Sequence, residues 1–262
     1  MIQLKCNKPA LHIIVLENKV NTMRLRENSM RYKFLVFYFS IFICTIKVHA
    51  QYSMGTTGQL NIPTAEMQET GTFMIGGNYL PKGMTPFKFN TGNYFVNITL
   101  FSFLELDYRC TLLKTKRKDG QKGYFQQDRS MSARIQPLKE GKYIPAIVIG
   151  TNDPFADKGT NYFASIYGVV TKNFSLFSGD KLGISAGYYF PLNKQTCQDG
   201  PFGGISYSPA FYPKLTFMAE YDSKGFNIGA AAKLWKHFSL HVFTREFNCI
   251  SGGIRYECTL IH

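Results

Sequence analysis

The chain is poor in the residues that build small metal or redox sites. It has six cysteines in 262 residues, and no two of them stand in CxxC spacing. That removes the usual signature of structural zinc or of a dithiol redox centre. Beyond Ile46 no apolar run approaches the roughly eighteen residues that a membrane-spanning helix requires. Convincing 3.6-residue periodicity is missing as well, which argues against a helical bundle. Acidic residues are scarce, 17 against 30 Lys and Arg. Much of that excess sits in the first fifty residues. The remaining 212 carry 22 basic and 15 acidic groups, a mild +7 that does not call for a nucleic-acid partner.

The first fifty residues differ from the rest. Arg31 and Lys33 precede an almost wholly apolar stretch, Phe34 to Ile46, and Val48-His49-Ala50 offers small side chains where a signal peptidase reads. Thirteen residues of helix span about 20 Å, short of the roughly 30 Å hydrocarbon core, so a cleaved export signal is expected over 30–50. Signals begin at the start of a chain, so translation is expected from Met30 or Met23, with 1–29 a spurious extension. Cys44 is not expected to carry lipid, because Ile43 before it is too large. The mature chain then comprises an N-terminal segment, 51–69, and a strand-rich region, 70–262.

What that region does have is alternation. In Leu104 to Leu112, Leu104, Leu106, Tyr108, Cys110 and Leu112 point one way, and Glu105, Asp107, Arg109 and Thr111 the other. Four successive polar residues on one strand face require water or a polar lumen. Leu215 to Asp222, Phe226 to Leu234, His237 to Val242 and Ile250 to Leu260 follow the same rule. About twelve such segments are expected, near 70–80, 92–101, 103–113, 128–137, 143–152, 161–171, 180–190, 200–208, 213–222, 225–234, 237–246 and 250–260. Most run to the nine to eleven residues that a tilted strand needs to cross a bilayer. Connections alternate between longer ones (Pro81–Thr91, Lys114–Gln127, Asp153–Thr160, Pro191–Asp199) and mostly shorter ones, as in outer-membrane barrels. With sixteen Tyr, twenty-three Phe and one Trp, aromatics suffice for two interfacial girdles. The expected fold is therefore all-β, an antiparallel transmembrane β-barrel of about twelve strands. A soluble β-sandwich would show shorter strands and fewer outward aromatics.

Few residues suggest chemistry. Ser239 lies between His237 and His241 on one strand face, which invites a membrane-embedded hydrolase. Same-face neighbours, however, stand about 7 Å apart, too far for a nucleophile and its base. The two histidines are about 13 Å apart, too far to share an ion. No catalytic, metal or cofactor site is expected. Glu105, Asp107, Arg109, Arg134, Glu220, Arg245, Arg255 and Glu257 are expected to form a charged lumen network. Its mixed signs favour mutual pairing that plugs a narrow barrel over a selective pore. Lys114, Lys116, Arg117, Lys118 and Lys122 form a basic extracellular loop, either simply solvated or in contact with anionic polysaccharide or lipopolysaccharide phosphates.

Gly55-Thr-Thr-Gly-Gln-Leu-Asn-Ile-Pro-Thr-Ala-Glu-Met67, followed by Gly71-Thr-Phe-Met-Ile-Gly76, resembles the opening of the YjbH-like family of outer-membrane proteins associated with exopolysaccharide. Leu104-Glu-Leu106, Leu138 to Ala146 with its Ile149 to Asp153 continuation, and Ala219-Glu-Tyr-Asp222 also match. The resemblance spans nearly the whole mature chain, and Pro-Thr-Ala-Glu is its most specific part. It implies a non-enzymatic barrel in the cell outer membrane that accompanies exopolysaccharide or capsule production or export. Implied partners are outer-membrane lipids, lipopolysaccharide and polysaccharide-export components. An adhesive or structural barrel that binds anionic glycans through its basic loops is the alternative, and the hydrolase a third. The chain departs from its larger relatives in being short, and its ending lacks the terminal aromatic usual in such barrels.

Overall fold

A computed structural model describes residues 53–155, 162–176 and 179–260. The expected export signal and the extension before it lie outside the described residues. Twelve strands follow in chain order: β1 (Thr72–Leu80), β2 (Thr91–Phe101), β3 (Leu104–Lys116), β4 (Lys122–Leu138), β5 (Ala146–Asn152), β6 (Ser165–Ser175), β7 (Lys181–Pro191), β8 (Gly200–Ser208), β9 (Leu215–Tyr221), β10 (Phe226–Lys233), β11 (Phe238–Arg245) and β12 (Cys249–Thr259). Each pairs antiparallel with the next, and β1 closes the ring on β12 in register Thr72 with Thr259 through Tyr79 with Gly252. Closure leaves no sheet edge facing lipid, which a membrane barrel requires.

The alternation seen in the sequence sorts the side chains. On β3, Glu105, Asp107, Arg109 and Thr111 are buried inward, while Leu106 and Tyr108 are exposed outward. On β9 and β11, Phe217, Leu240 and Val242 face out, and Thr216, Glu220, Ser239 and His241 face in. The molecule is thus apolar outside and polar within, the arrangement that lipid imposes on a transmembrane barrel. Aromatics ring both ends of the apolar band. Tyr79, Tyr94, Tyr108, Tyr188, Phe190 and Phe226 mark the end with the longer connections, the extracellular end in such barrels. Phe101, Phe103, Tyr143, Phe211, Tyr212 and Trp235 mark the opposite end.

Four inward aromatics are seated by glycines. Phe95 pairs with Gly76, Tyr167 with Gly150, Phe202 with Gly187 and Phe243 with Gly229, each directly across a ladder. A Cβ on these glycines would lie 2.3–2.4 Å from the facing aromatic side chain. The rings of Phe95, Tyr167 and Phe202 therefore lie back over their glycines against the wall, a use of cross-strand glycine that frees volume along the axis.

The strands fall close to expectation, with two differences. Residues 114–116 and 122–127 continue β3 and β4 instead of forming one long loop, so the turn is only Arg117 to Gln121 (Arg117 N–H to Gln121 O, 2.9 Å). Backbone pairing alone sustains that ribbon, because above the lipid no apolar pattern is needed. β6 also lies about four residues later than the expected 161–171.

A plugged lumen as the candidate functional site

The lumen is filled by the chain's own N-terminal segment. Residues 53–65 are almost continuously buried, Leu60, Ile62 and Ala65 completely. The segment folds back on itself through a Gly58–Pro63 bridge and the bonds Ser53 N to Leu60 O (3.1 Å) and Gln59 N to Ile62 O (2.9 Å). A peptide this short cannot satisfy all its own backbone groups, and the barrel wall takes the remainder.

The charged residues expected in the lumen divide into two sets. Five hold the plug. Glu105 Oε1 accepts from Thr57 N (2.7 Å) and from Asn97 Nδ2 (2.7 Å). Its other oxygen lies 3.4 Å from Arg134 Nε. Arg134 in turn donates to the carbonyls of Thr57 and Glu66, clamping two points of the segment that lie nine residues apart. Glu220 accepts from Leu60 N (3.0 Å) and Asn61 N (2.6 Å). Arg109 reaches Met54 Sδ and Ser130 Oγ, and its guanidinium lies 4.5 Å over the Phe163 ring. Asp107 lies against Gly55. The other three residues pair within the wall. Arg245 meets Asp222 at 2.7 Å, and Arg255 meets Glu257 at 3.1 Å, with Lys233 on the same carboxylate. Mutual pairing is therefore only part of the arrangement, because the backbone of residues 57–66 is the main partner of Glu105, Arg134 and Glu220.

Several partners were not singled out from the sequence. Asn78 and Asn93 donate to Ser53 O, Asn97 to Gly55 O, and Gln136 to Ala65 O. Thr171 Oγ1 accepts from Ala65 N at 2.7 Å. Asn78, Asn93 and Asn97 occupy buried, inward positions of β1 and β2. What the alternation lacked was a ligand for them to hold.

Apolar contacts complete the fit. Ile62 and Ala65 pack on Val148, Tyr167, Val169, Tyr189 and Phe202 of β5–β8, and Leu60 packs on Met218, Ala231 and Phe243. Polar and apolar sectors of the wall thus face polar and apolar atoms of the plug. Above it, Phe87, Phe163 and Met54 cluster with Leu113 under the longer connections. A cavity of about 50 Å³ remains at that mouth, lined by Asn61, Asp222 and Arg245 among others.

The remaining candidates are placed as follows. Ser239 Oγ and His241 Nε2 have no hydrogen-bond partner among the described residues, and His237 Nδ1 pairs with Glu257 O at 2.8 Å. No nucleophile–base contact joins them. All four described cysteines are free thiols. Burial pushes the Cys197 thiol, on the β7–β8 connection, up to about 12, with Arg109 opposing the shift. The basic residues stand on the β3–β4 hairpin, Lys114 and Lys116 on β3, Lys122 opening β4, and Arg117 and Lys118 in the turn.

Among solved structures, the chain is similar to an outer membrane channel from Pseudomonas putida F1. The TM-score is 0.41 and the identity 11%, over 76% of this chain and 99% of that one. No curated protein matches it. The family model described as exopolysaccharide biosynthesis protein matches residues 50–258, and with four-fifths of its length covered the chain belongs to the YjbH family.

Proposed function

We propose that this chain resides in the outer membrane and supports production or export of an exopolysaccharide without catalysing a reaction itself. Export would proceed through the signal over 30–50. The observation that carries the proposal is the filled lumen: the barrel's inward polar groups are spent on its own residues 53–66. Such a barrel acts as a stoppered scaffold among outer-membrane lipids, lipopolysaccharide and polysaccharide-export components. The family description supplies the polymer, and the apolar exterior with its two aromatic girdles supports the membrane.

The test is genetic. Deletion of the gene should reduce surface polymer, seen by staining, and both the wild-type chain and Ser239→Ala should restore it. Unchanged polymer in the deletion strain sinks the polysaccharide role. Failure of Ser239→Ala alone, with the barrel still folded, would instead favour a hydrolase. The exposed cations of the β3–β4 hairpin favour a second reading, an adhesive barrel that binds anionic glycans. It requires loss of cell attachment with polymer output intact.

A further inference from the structure

The β3–β4 hairpin stands above the rest of the barrel. Its ladder to β2 ends at Asn93–Thr111, and its ladder to β5 ends at Ser132–Asn152. Residues 112–127 are therefore a two-stranded ribbon, and the hairpin reaches down to Arg129, opposite Cys110 at the level of the β2 ladder. It carries exposed Lys114, Lys116, Arg117, Lys118, Lys122 and Arg129 against one exposed acid, Asp119. Among the described residues no carboxylate forms an ion pair with any of these cations.

Arg129 is the informative member. Asp128 and Ser130 point inward and are buried, so Arg129 points outward, on the same face as exposed Met131. It is paired with Cys110, which stands between the outward Tyr94 and Tyr108 of the upper girdle. A cation on the lipid side of a barrel costs about 2–4 kcal/mol at the midplane and about 0–1 near the interface. At girdle height it is placed to meet the phosphate layer. Arg117 and Lys114 extend the cationic column upward, lying 5.9 Å over the rings of Phe125 and Tyr124.

We propose that this hairpin binds the phosphates of a phosphorylated glycolipid of the outer leaflet, with Arg129 at the lipid boundary and Lys114, Lys116, Arg117, Lys118 and Lys122 above it. A soluble polyanion would explain the tip but not a cation that faces outward beside Met131, Tyr94 and Tyr108. Protection of an open strand edge by charge would explain lysines at the tip, and it makes no demand for phosphate. The inference rests on membrane residence and is independent of the role in polymer production.

The experiment uses the full chain in neutral detergent, with titrations of diphosphoryl lipid A, enzymatically dephosphorylated lipid A and dextran sulfate. The readout is the temperature at which the heat-modifiable band unfolds. Diphosphoryl lipid A should raise it in a saturable, salt-sensitive manner, and the dephosphorylated form should act more weakly. Arg129→Gln and Arg117→Gln should each weaken apparent affinity about fivefold, from roughly 1 kcal/mol per cation near a charged surface. Equal action of the dephosphorylated lipid, unchanged affinity in both variants, or a response to dextran sulfate alone would each overturn the proposal. Absence of any heat-modifiable form in the membrane fraction would instead remove the membrane reading itself. An unchanged polymer phenotype would leave this inference standing.

Discussion

At the scale of single residues, the plug depends on positions where no side chain can stand. Gly55 has φ of +103°, and a Cβ there would fall 2.3 Å from Asp107 Oδ1. Left-handed backbone and a collision with a buried carboxylate act together, and only glycine avoids both. Gly55→Ala should therefore destabilise the folded barrel by about 1–3 kcal/mol, the range for strained backbone positions. The measurement is the heat-modifiable midpoint, with Gly168→Ala as control. That glycine has negative φ and open space where its Cβ would be. An unshifted midpoint for Gly55→Ala would show that the segment is not held as described.

At the scale of elements, the plug and β9 are joined by one carboxylate. Glu220 accepts two successive backbone N–H groups, Leu60 and Asn61, and a third donor from Asn227. Removing it strands buried donors, each at about 1–3 kcal/mol. Glu220→Ala should loosen the segment first and the barrel little, since the β8–β9 and β9–β10 ladders do not use that side chain. Limited proteolysis should then cut between residues 55 and 69 in the variant and spare the parent. The wall behind the plug was largely legible from sequence, because a period of two with a lipid face outside admits one register. The β3–β4 ribbon was not legible, since Lys114 to Gly123 carries no apolar alternation and only Tyr124 and Phe125 break the polar run, so it reads as a loop. Nothing in a polar run announces that two strands still pair above the membrane.

At the scale of the whole molecule, the barrel is closed twice, around its ring and along its axis. A chain lacking 53–69 should keep its twelve-strand ladder and gain a water-filled lumen, since Glu105, Arg134 and Glu220 would then hydrate instead of binding backbone. Planar-bilayer recordings should show steady conductance for that variant and little for the parent. Equal conductance in the two would mean that the segment does not seal the barrel. Loss of the apolar packing around Ile62 and Leu60 should also lower the heat-modifiable midpoint.

Some of this was set by the order of residues alone. Alternation over nearly every strand dictated all-β structure, and the polar face of Glu105, Asp107 and Arg109 dictated a wet or polar interior, because burial of charge without partners is prohibitive. The Pro-Thr-Ala-Glu opening pointed to the family. Tertiary structure alone decided what the interior polar groups hold. The bonds Thr57–Glu105, Leu60–Glu220 and Ala65–Thr171 join residues 48, 160 and 106 positions apart. Such pairings form only when ring closure brings distant strands around one axis. Local periodicity fixes which way a side chain points but carries no information about what will be waiting there.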